Sequence, residues 1–177
     1  MHYGPLTLNV LPVQKPRPPM WIAGLSADTY AAAPRRGYPI MGVPYILPHI
    51  NDLEPLLAEF NRVADEVKLA TSLREPTFAF HCYVGETDAQ AAQEARAYIQ
   101  QYVDTRAVGN TKSFAELQEK GLIIVGGPDR CLRLLRRLEQ WGARRILAIF
   151  NYGGMPPSLV LRSMERFAKE VVPAFQT

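Results

Sequence analysis

Short apolar runs alternate with segments of helical periodicity along the chain, and this alternation most constrains the fold. Apolar runs bounded by proline, glycine or polar residues predict buried strands. These runs lie at residues 20–24, 39–45, 77–84 and 145–150. Apolar positions spaced three and four residues apart predict helices. The helical segments lie at residues 27–36, 52–69, 87–103, 132–141 and 158–172. The predicted fold class is α/β, with four parallel strands alternating with helices.

The composition is that of an ordinary soluble domain and excludes several classes of protein. The 177 residues are 47% hydrophobic and 21% charged, which predicts a single domain over residues 1–177. The net charge of +3 is spread among leucines and isoleucines, which argues against nucleic-acid binding. Two cysteines in apolar runs predict reduced, buried thiols and no metal site. No leader and no apolar run of roughly 18 residues is found, so we expect a cytoplasmic protein without a membrane span.

Residues 104–121 interrupt the alternation. Residues 104–112 have no apolar periodicity, and a capping box from Ser113 to Glu116 then opens a short helix that Gly121 ends. This pattern predicts an inserted, mobile segment that is suited to act as a lid.

Two separated parts of the chain resemble the bacterial-luciferase-like flavin monooxygenases. The proline-rich VLPVQKPRPP, followed by MWIAG and LSADTYAAAPRRG, is similar to the fifth strand and helix of that family. The tail from IIVGGPDRC to VVPAF is similar to its seventh helix, eighth strand and eighth helix. The resemblance implies half of a TIM-type (β/α)8 barrel. Because Met1 lies only ten residues ahead of Leu11, we expect the first four strands, with the active-site histidine and dimer helices of the family, to be absent.

The resemblance also implies a chemistry. A family member uses reduced FMN and dioxygen to oxygenate a small organic substrate, and the cofactor carries the difficult step. No G-x-G-x-x-G loop follows any predicted strand, which favours FMN over a dinucleotide flavin. The deazaflavin F420, which relatives use, is the alternative cofactor.

Ser26 and Thr29 match the serine and threonine that the family places against the flavin phosphate. Hydroxyls at a helix N-terminus suit an anion, because unpaired N–H groups and the helix dipole meet there. The alternative is that Ser26 is simply an N-cap. Gly24, at the end of the preceding strand, joins the expected flavin contacts. Leu25 stands where some relatives carry an acidic residue, and Pro34 is expected to interrupt the short helix, so phosphate affinity is predicted to be weak.

Four further candidate residues lie in or just after predicted strands. Asn151, Gly153 and Gly154 follow the last predicted strand, at the face where barrel active sites are built. The glycines permit a close approach to a flat ring, although a plain turn explains them equally well. His81 alternates with its neighbours and faces either the barrel lumen or the helix layer, as a catalytic or a core histidine.

Three functions stay open: part of an oxygenase, a non-catalytic flavin-binding or regulatory protein, and a purely structural half-barrel. A half-barrel would leave two strand edges unpaired. We therefore expect a homo-oligomer, or a separate N-terminal half-barrel chain as partner.

Overall fold

The computed structural model describes residue 10, residues 13–105 and residues 112–176. These residues form five strands, and all the strand pairs are parallel. The strands are β1 (Ile22–Ala23), β2 (Ile40–Gly42), β3 (Thr77–Val84), β4 (Ile124–Gly126) and β5 (Arg145–Ile149). The helices are α1 (Ala27–Arg35), α2 (Leu53–Glu66), α3 (Asp88–Asp104), α4 (Phe114–Glu119), α5 (Pro128–Gln140) and α6 (Pro157–Arg166).

The strand β3 is the centre of the sheet. It pairs with β2 through Thr77 and Phe78, with β5 from Thr77 to His81, and with β4 from Cys82 to Val84. Seven of its eight residues are buried, and Ala79 is the exception. Within the described residues, β1 pairs only with β2, and β5 pairs only with β3.

The two faces of the sheet are covered differently. Ile146 contacts a cavity formed with Leu135, Leu138 and Phe167, so its side of the sheet is the helix-covered face. Neighbouring residues of β5 point to opposite sides. Leu147 therefore lies on the other side, which we call the open face, and 43% of Leu147 is exposed.

Local sequence signals explain where most helices begin. The side chains of Ser26, Thr87 and Ser113 accept N-cap hydrogen bonds at α1, α3 and α4. The capping box predicted from Ser113 to Glu116 is present. Glycine at positive φ follows α1, α4 and α5, at Gly37, Gly121 and Gly142, where side chains would be strained.

The four predicted strands are all present, with β3 at its predicted bounds, but three local expectations need correction. Pro34 does not interrupt the first helix, because it lies in the last turn and costs α1 only one hydrogen bond. Residues 124–126 form a fifth strand, which is not among the four predicted strands. The last helix ends at Arg166 and continues as a π-helical turn over Phe167–Val171 and a 3-10 turn over Val172–Phe175.

The predicted insertion is only partly visible. Residues 106–111 lie outside the described residues, and α4 occupies the place predicted for the short helix. The mobility of residues 104–121 stays a prediction.

Candidate functional site

The carboxyl ends of the parallel strands bring the candidate residues to one edge of the sheet. Ser26 follows β1, Tyr45 follows β2, His81 lies near the end of β3, and Asn151 follows β5. Ligand sites of α/β sheets lie at this edge because loops and helix N-termini converge there. The opposite edge carries the amino ends of the strands.

Ser26 and Thr29 form a hydroxyl pair at the N-terminus of α1. Their side-chain oxygens are 2.8 Å apart, and the Thr29 N–H donates to Ser26 Oγ over 3.3 Å. Ser26 and the first-turn residue Asp28 are exposed, so the end of the helix is open to solvent. Ser26 is thus an N-cap, as its alternative interpretation held, and contact of the pair with an anion stays a prediction. The negative charge of the Asp28 carboxylate, in the same first turn, would repel such an anion.

Gly24 leaves the space that the Thr29 side chain of this pair occupies. A Cβ on Gly24 would come within 2.7 Å of Thr29 Cγ2, so a side chain here would displace Thr29. Gly24 also donates its N–H to the Met41 carbonyl over 3.0 Å, which ties the end of β1 to β2. The glycine therefore positions Thr29.

His81 lies on the open face, in register with Ile149 of β5. Three tyrosine rings surround its imidazole: Tyr102 at 4.3 Å between ring centroids, Tyr152 at 5.3 Å and Tyr45 at 5.7 Å. Together these rings leave only 3% of His81 exposed. We call these four residues the tyrosine cage. The His81 imidazole is therefore shielded from solvent and from any ligand at the sheet edge.

The four residues of the tyrosine cage come from four separate parts of the fold. Tyr152 is buried and donates its hydroxyl to the Cys82 carbonyl over 3.2 Å, and burial raises its pKa well above the usual range. Tyr102 comes from the last turn of α3, a helix that crosses the same edge of the sheet. The sequence drew attention to neither tyrosine. The one sequence signal for Tyr152 was its position between the candidates Asn151 and Gly153, and Tyr102 had no such signal.

Gly153 and Gly154 differ in their surroundings, although both have positive φ, 58° and 71°. A Cβ on Gly153 would lie 1.9 Å from the Tyr98 carbonyl oxygen, whereas a Cβ on Gly154 meets nothing within 4 Å. The close approach at Gly153 is thus to the backbone of α3. Gly154 and Asn151 are exposed and remain open to a ligand.

A hydrogen-bond and ion-pair network attaches α3 to α6. The Tyr83 hydroxyl donates to Glu94 Oε2 over 2.7 Å, and Arg162 of α6 pairs with Glu94 Oε1 at 2.5 Å. The Val84 N–H donates to Ser163 Oγ over 2.8 Å, which fixes α6 against the end of β3. These contacts hold α3, and with it Tyr102, across the sheet edge.

The two cysteines are free and buried, as predicted. Burial raises the pKa of Cys82 well above its usual range, and burial followed by the nearby Asp88 carboxylate raises the pKa of Cys131 to about 12. Both thiols therefore stay protonated at neutral pH and are poor nucleophiles.

Comparison with known proteins identifies the family. Residues 2–145 match the luciferase-like monooxygenase family. The chain belongs to this family. The match covers the Ser26 pair, the tyrosine residues Tyr45 and Tyr102, and His81, and it ends just as β5 begins. The luciferase-like chain has no match among the curated proteins.

Solved structures share the fold of this luciferase-like chain. Monooxygenase RslO1 from Streptomyces bottropensis is 23% identical with a TM-score of 0.80, over 98% of this chain and 53% of its own. The oxygenating constituent of 3,6-diketocamphane monooxygenase from Pseudomonas putida, a type II Baeyer-Villiger monooxygenase in complex with FMN, is 15% identical with a TM-score of 0.65, over 88% and 48%. Coenzyme F420-dependent tetrahydromethanopterin reductase from Methanopyrus kandleri is 13% identical with a TM-score of 0.61, over 89% and 51%.

The luciferase-like chain spans about half the length of these structures, which corresponds to a half-barrel. Among the residues that the structure describes, no group of three or more His, Cys, Asp or Glu side chains could hold a metal ion. The helices of this same part of the chain include none that is long and apolar enough to cross a membrane.

Proposed function

We propose that the chain is the carboxyl-terminal half of a flavin-dependent monooxygenase barrel and that α1 binds the phosphate of FMN. The observation that carries the proposal is the hydroxyl pair of Ser26 and Thr29, 2.8 Å apart at an exposed helix N-terminus. Hydroxyl and backbone N–H donors beside the positive end of a helix dipole fit a phosphate. The absence of room for a Cβ at Gly24 supports it, because the glycine keeps Thr29 in this position.

The remaining candidates suit the other end of such a cofactor. The sheet order β1-β2-β3-β5 separates Ser26 from Asn151 by three strand spacings, roughly 14 Å at the usual interstrand distance. A cofactor with a phosphate at one end and a flat ring at the other can contact both. Asn151 and Gly154 are the exposed groups beside β5 that would meet the ring. FMN is the proposed cofactor and F420 is the alternative.

Bound reduced FMN would supply the electrons and the reactivity towards dioxygen. The residues of this chain would hold the phosphate, exclude water and cover the reacting ring. The tyrosine cage forms an apolar wall beside the ring site, and α3 carries part of that wall. Contact of His81 with a substrate would require Tyr102 to move away, because only 3% of His81 is exposed.

We further propose that a second half-barrel covers the open face. Leu147 is 43% exposed there, Ala23 is exposed, and β1 and β5 each leave one edge unpaired within the described residues. An exposed apolar face between two free strand edges favours pairing with another sheet. A second copy of this chain and a separate N-terminal half-barrel chain are the two candidates, of which closed two-fold symmetry favours the copy.

Flavin titration tests the phosphate site. FMN should bind more tightly than FAD and more tightly than riboflavin, which lacks the phosphate. The double variant Ser26→Ala/Thr29→Ala should weaken FMN by about 1–3 kcal/mol and leave riboflavin unchanged, since only hydrogen bonds to a charged group are lost. Ser26→Asp retains an N-cap side chain but adds a negative charge, and it should weaken FMN further. The control Thr71→Ala/Ser72→Ala removes two exposed hydroxyls beside the amino end of β3 and should change nothing.

Two results would overturn parts of this proposal. FAD binding as tight as FMN, or equal loss of FMN and riboflavin in the double variant, would move the phosphate site elsewhere. Binding of F420 in place of FMN would keep the phosphate site and change the cofactor.

Oxygen consumption with reduced flavin and a candidate substrate separates an oxygenase from a non-catalytic flavin-binding protein. A chain that binds no flavin in any assembly would be the structural half-barrel.

A further inference from the structure

A basic groove lies apart from the candidate flavin site. It is a cavity of about 410 Å³ between α5, the end of α4 and the 3-10 turn Ile50–Asp52. Four cationic side chains line it, and only one carboxylate, that of Glu119, shares the lining. The cationic residues are Lys120, Arg130, Arg133 and Arg137. It shares no residue with the Ser26 pair, the tyrosine cage or the residues after β5.

The three arginines form one stripe on α5. Positions 130, 133 and 137 are three and four residues apart, so they lie on the same side of the helix. None of the three forms an ion pair with a carboxylate of the described residues, whereas Lys120 pairs with Glu116 at 3.6 Å. Three unpaired guanidinium groups along one cavity repel one another, and an anion placed between them would relieve that repulsion.

Two of these guanidinium groups are held in place by neutral acceptors. Arg130 donates to the Gln118 carbonyl over 3.1 Å, and Arg137 donates to Asn51 Oδ1 over 2.8 Å. Arg137 also lies over the Trp141 ring, 4.8 Å from its centroid, and its Nε is buried without a hydrogen-bond partner among the described residues. These contacts orient both side chains without neutralising them. The positive groups are therefore preorganised and their charge remains available.

His49 adds a donor to the groove wall. Its Nδ1 accepts the Asn51 N–H over 3.0 Å, so a neutral ring carries its proton on Nε2. The Ile50 N–H donates to the Lys120 carbonyl over 3.1 Å, which joins the wall bearing His49 to the end of α4. Ile123 and Leu134 supply an apolar part of the lining.

We propose that this groove binds a small organic polyanion that carries phosphate or carboxylate groups. Guanidinium groups match both kinds of anion with paired hydrogen bonds. Three of them with Lys120 fit a ligand of at least two negative charges. The volume suits a small molecule, since ligand pockets usually enclose roughly 300–1,000 Å³. The ligand would bind outside the flavin site.

Calorimetric titration of the full chain with inorganic pyrophosphate and with citrate tests the proposal and separates the two anion chemistries. At least one of the two probes should bind in buffered sodium chloride. Arg133→Gln should weaken that binding at least tenfold, about the loss of one hydrogen-bonded charge. Arg133 suits this test because it makes no hydrogen bond within the described residues, so its loss should not disturb the fold. The control is Arg136→Gln, an exposed arginine of the same helix outside the groove.

Binding that is lost in Arg133→Gln and kept in Arg136→Gln would support the groove as the site. No binding of either probe would overturn the proposal. Equal weakening by the two substitutions would also overturn it, because the effect would then be one of overall charge.

Discussion

Gly153 lies directly against the backbone of Tyr98, where a Cβ would stand 1.9 Å from the Tyr98 carbonyl oxygen. The loop after β5 and the helix α3 therefore fit together only because residue 153 has no side chain. This contact, with the Tyr102 ring on His81, fixes α3 across the edge of the sheet at which the flavin site is proposed.

Gly153→Ala should destabilise the protein by about 2–5 kcal/mol, since the backbone clash adds to the left-handed conformation at φ 58°. Gly154→Ala is the matched control, because its φ of 71° is strained but its surroundings are open. The control should lose only about 1–2 kcal/mol. Urea unfolding of both variants measures the difference. Equal losses would show that Tyr98 does not lie against Gly153.

Tyr102→Ala should uncover His81, because the Tyr102 ring is the nearest of the three that cover it, at 4.3 Å. Modification by diethylpyrocarbonate, followed by mass spectrometry of the peptides, measures the exposure of each histidine. His81 should react slowly in the wild-type protein and faster in the variant. His49 is partly exposed and serves as an internal reference whose rate should not change. A fast reaction of His81 in the wild-type protein would mean that the cage is open in solution.

Tyr83→Phe should destabilise the protein at pH 7 by about 1.5–3 kcal/mol, the range for a hydrogen bond to a charged group. Burial, and then the Glu94 carboxylate, raise the pKa of Tyr83 to about 12 from its usual 10. A raised pKa favours the protonated form in the folded state, so this stabilisation is complete below pH 10 and is lost as the pH rises from 10 towards 12.

The pH dependence distinguishes this network from simple packing. The difference in free energy of unfolding between the wild-type protein and Tyr83→Phe should be constant from pH 7 to 9 and should shrink above pH 10. Comparing the two proteins cancels the titration of the other tyrosines. A difference that stays constant up to pH 11 would place the Tyr83 hydroxyl outside the network.

Leu147→Lys should break association through the open face. Sedimentation velocity at micromolar concentration should show the purified wild-type chain as a dimer, because 43% of Leu147 is otherwise exposed between two free strand edges. The variant places a charge there and should sediment as a monomer. Leu161→Lys is the control, since Leu161 is 60% exposed on α6 of the helix layer and should not affect association. A folded wild-type monomer would contradict the pairing of two copies.

The sequence alone determined the elements whose signals are local. The period of apolar residues and the capping side chains act within one turn or one strand, and they predicted β3, α1, α3 and α4 closely. The N-cap role of Ser26 was predictable for the same reason, because its side chain accepts from the Thr29 N–H within the first turn of the helix. Ser26 and Thr29 as a phosphate site stay a prediction. The family resemblance then supplied their proposed ligand.

Tertiary structure alone decided which distant residues meet. The tyrosine cage brings together rings from the 3-10 turn after β2, from α3 and from the loop after β5, and each tyrosine has an ordinary local context. The short strand β4 exists only because the end of β3 offers it an edge, and Gly153 is required by the Tyr98 backbone 55 positions earlier in the chain. The groove along α5 likewise needs the end of α4 and His49 as its walls. Such contacts depend on packing between elements far apart in sequence, and no local sequence pattern predicts that packing.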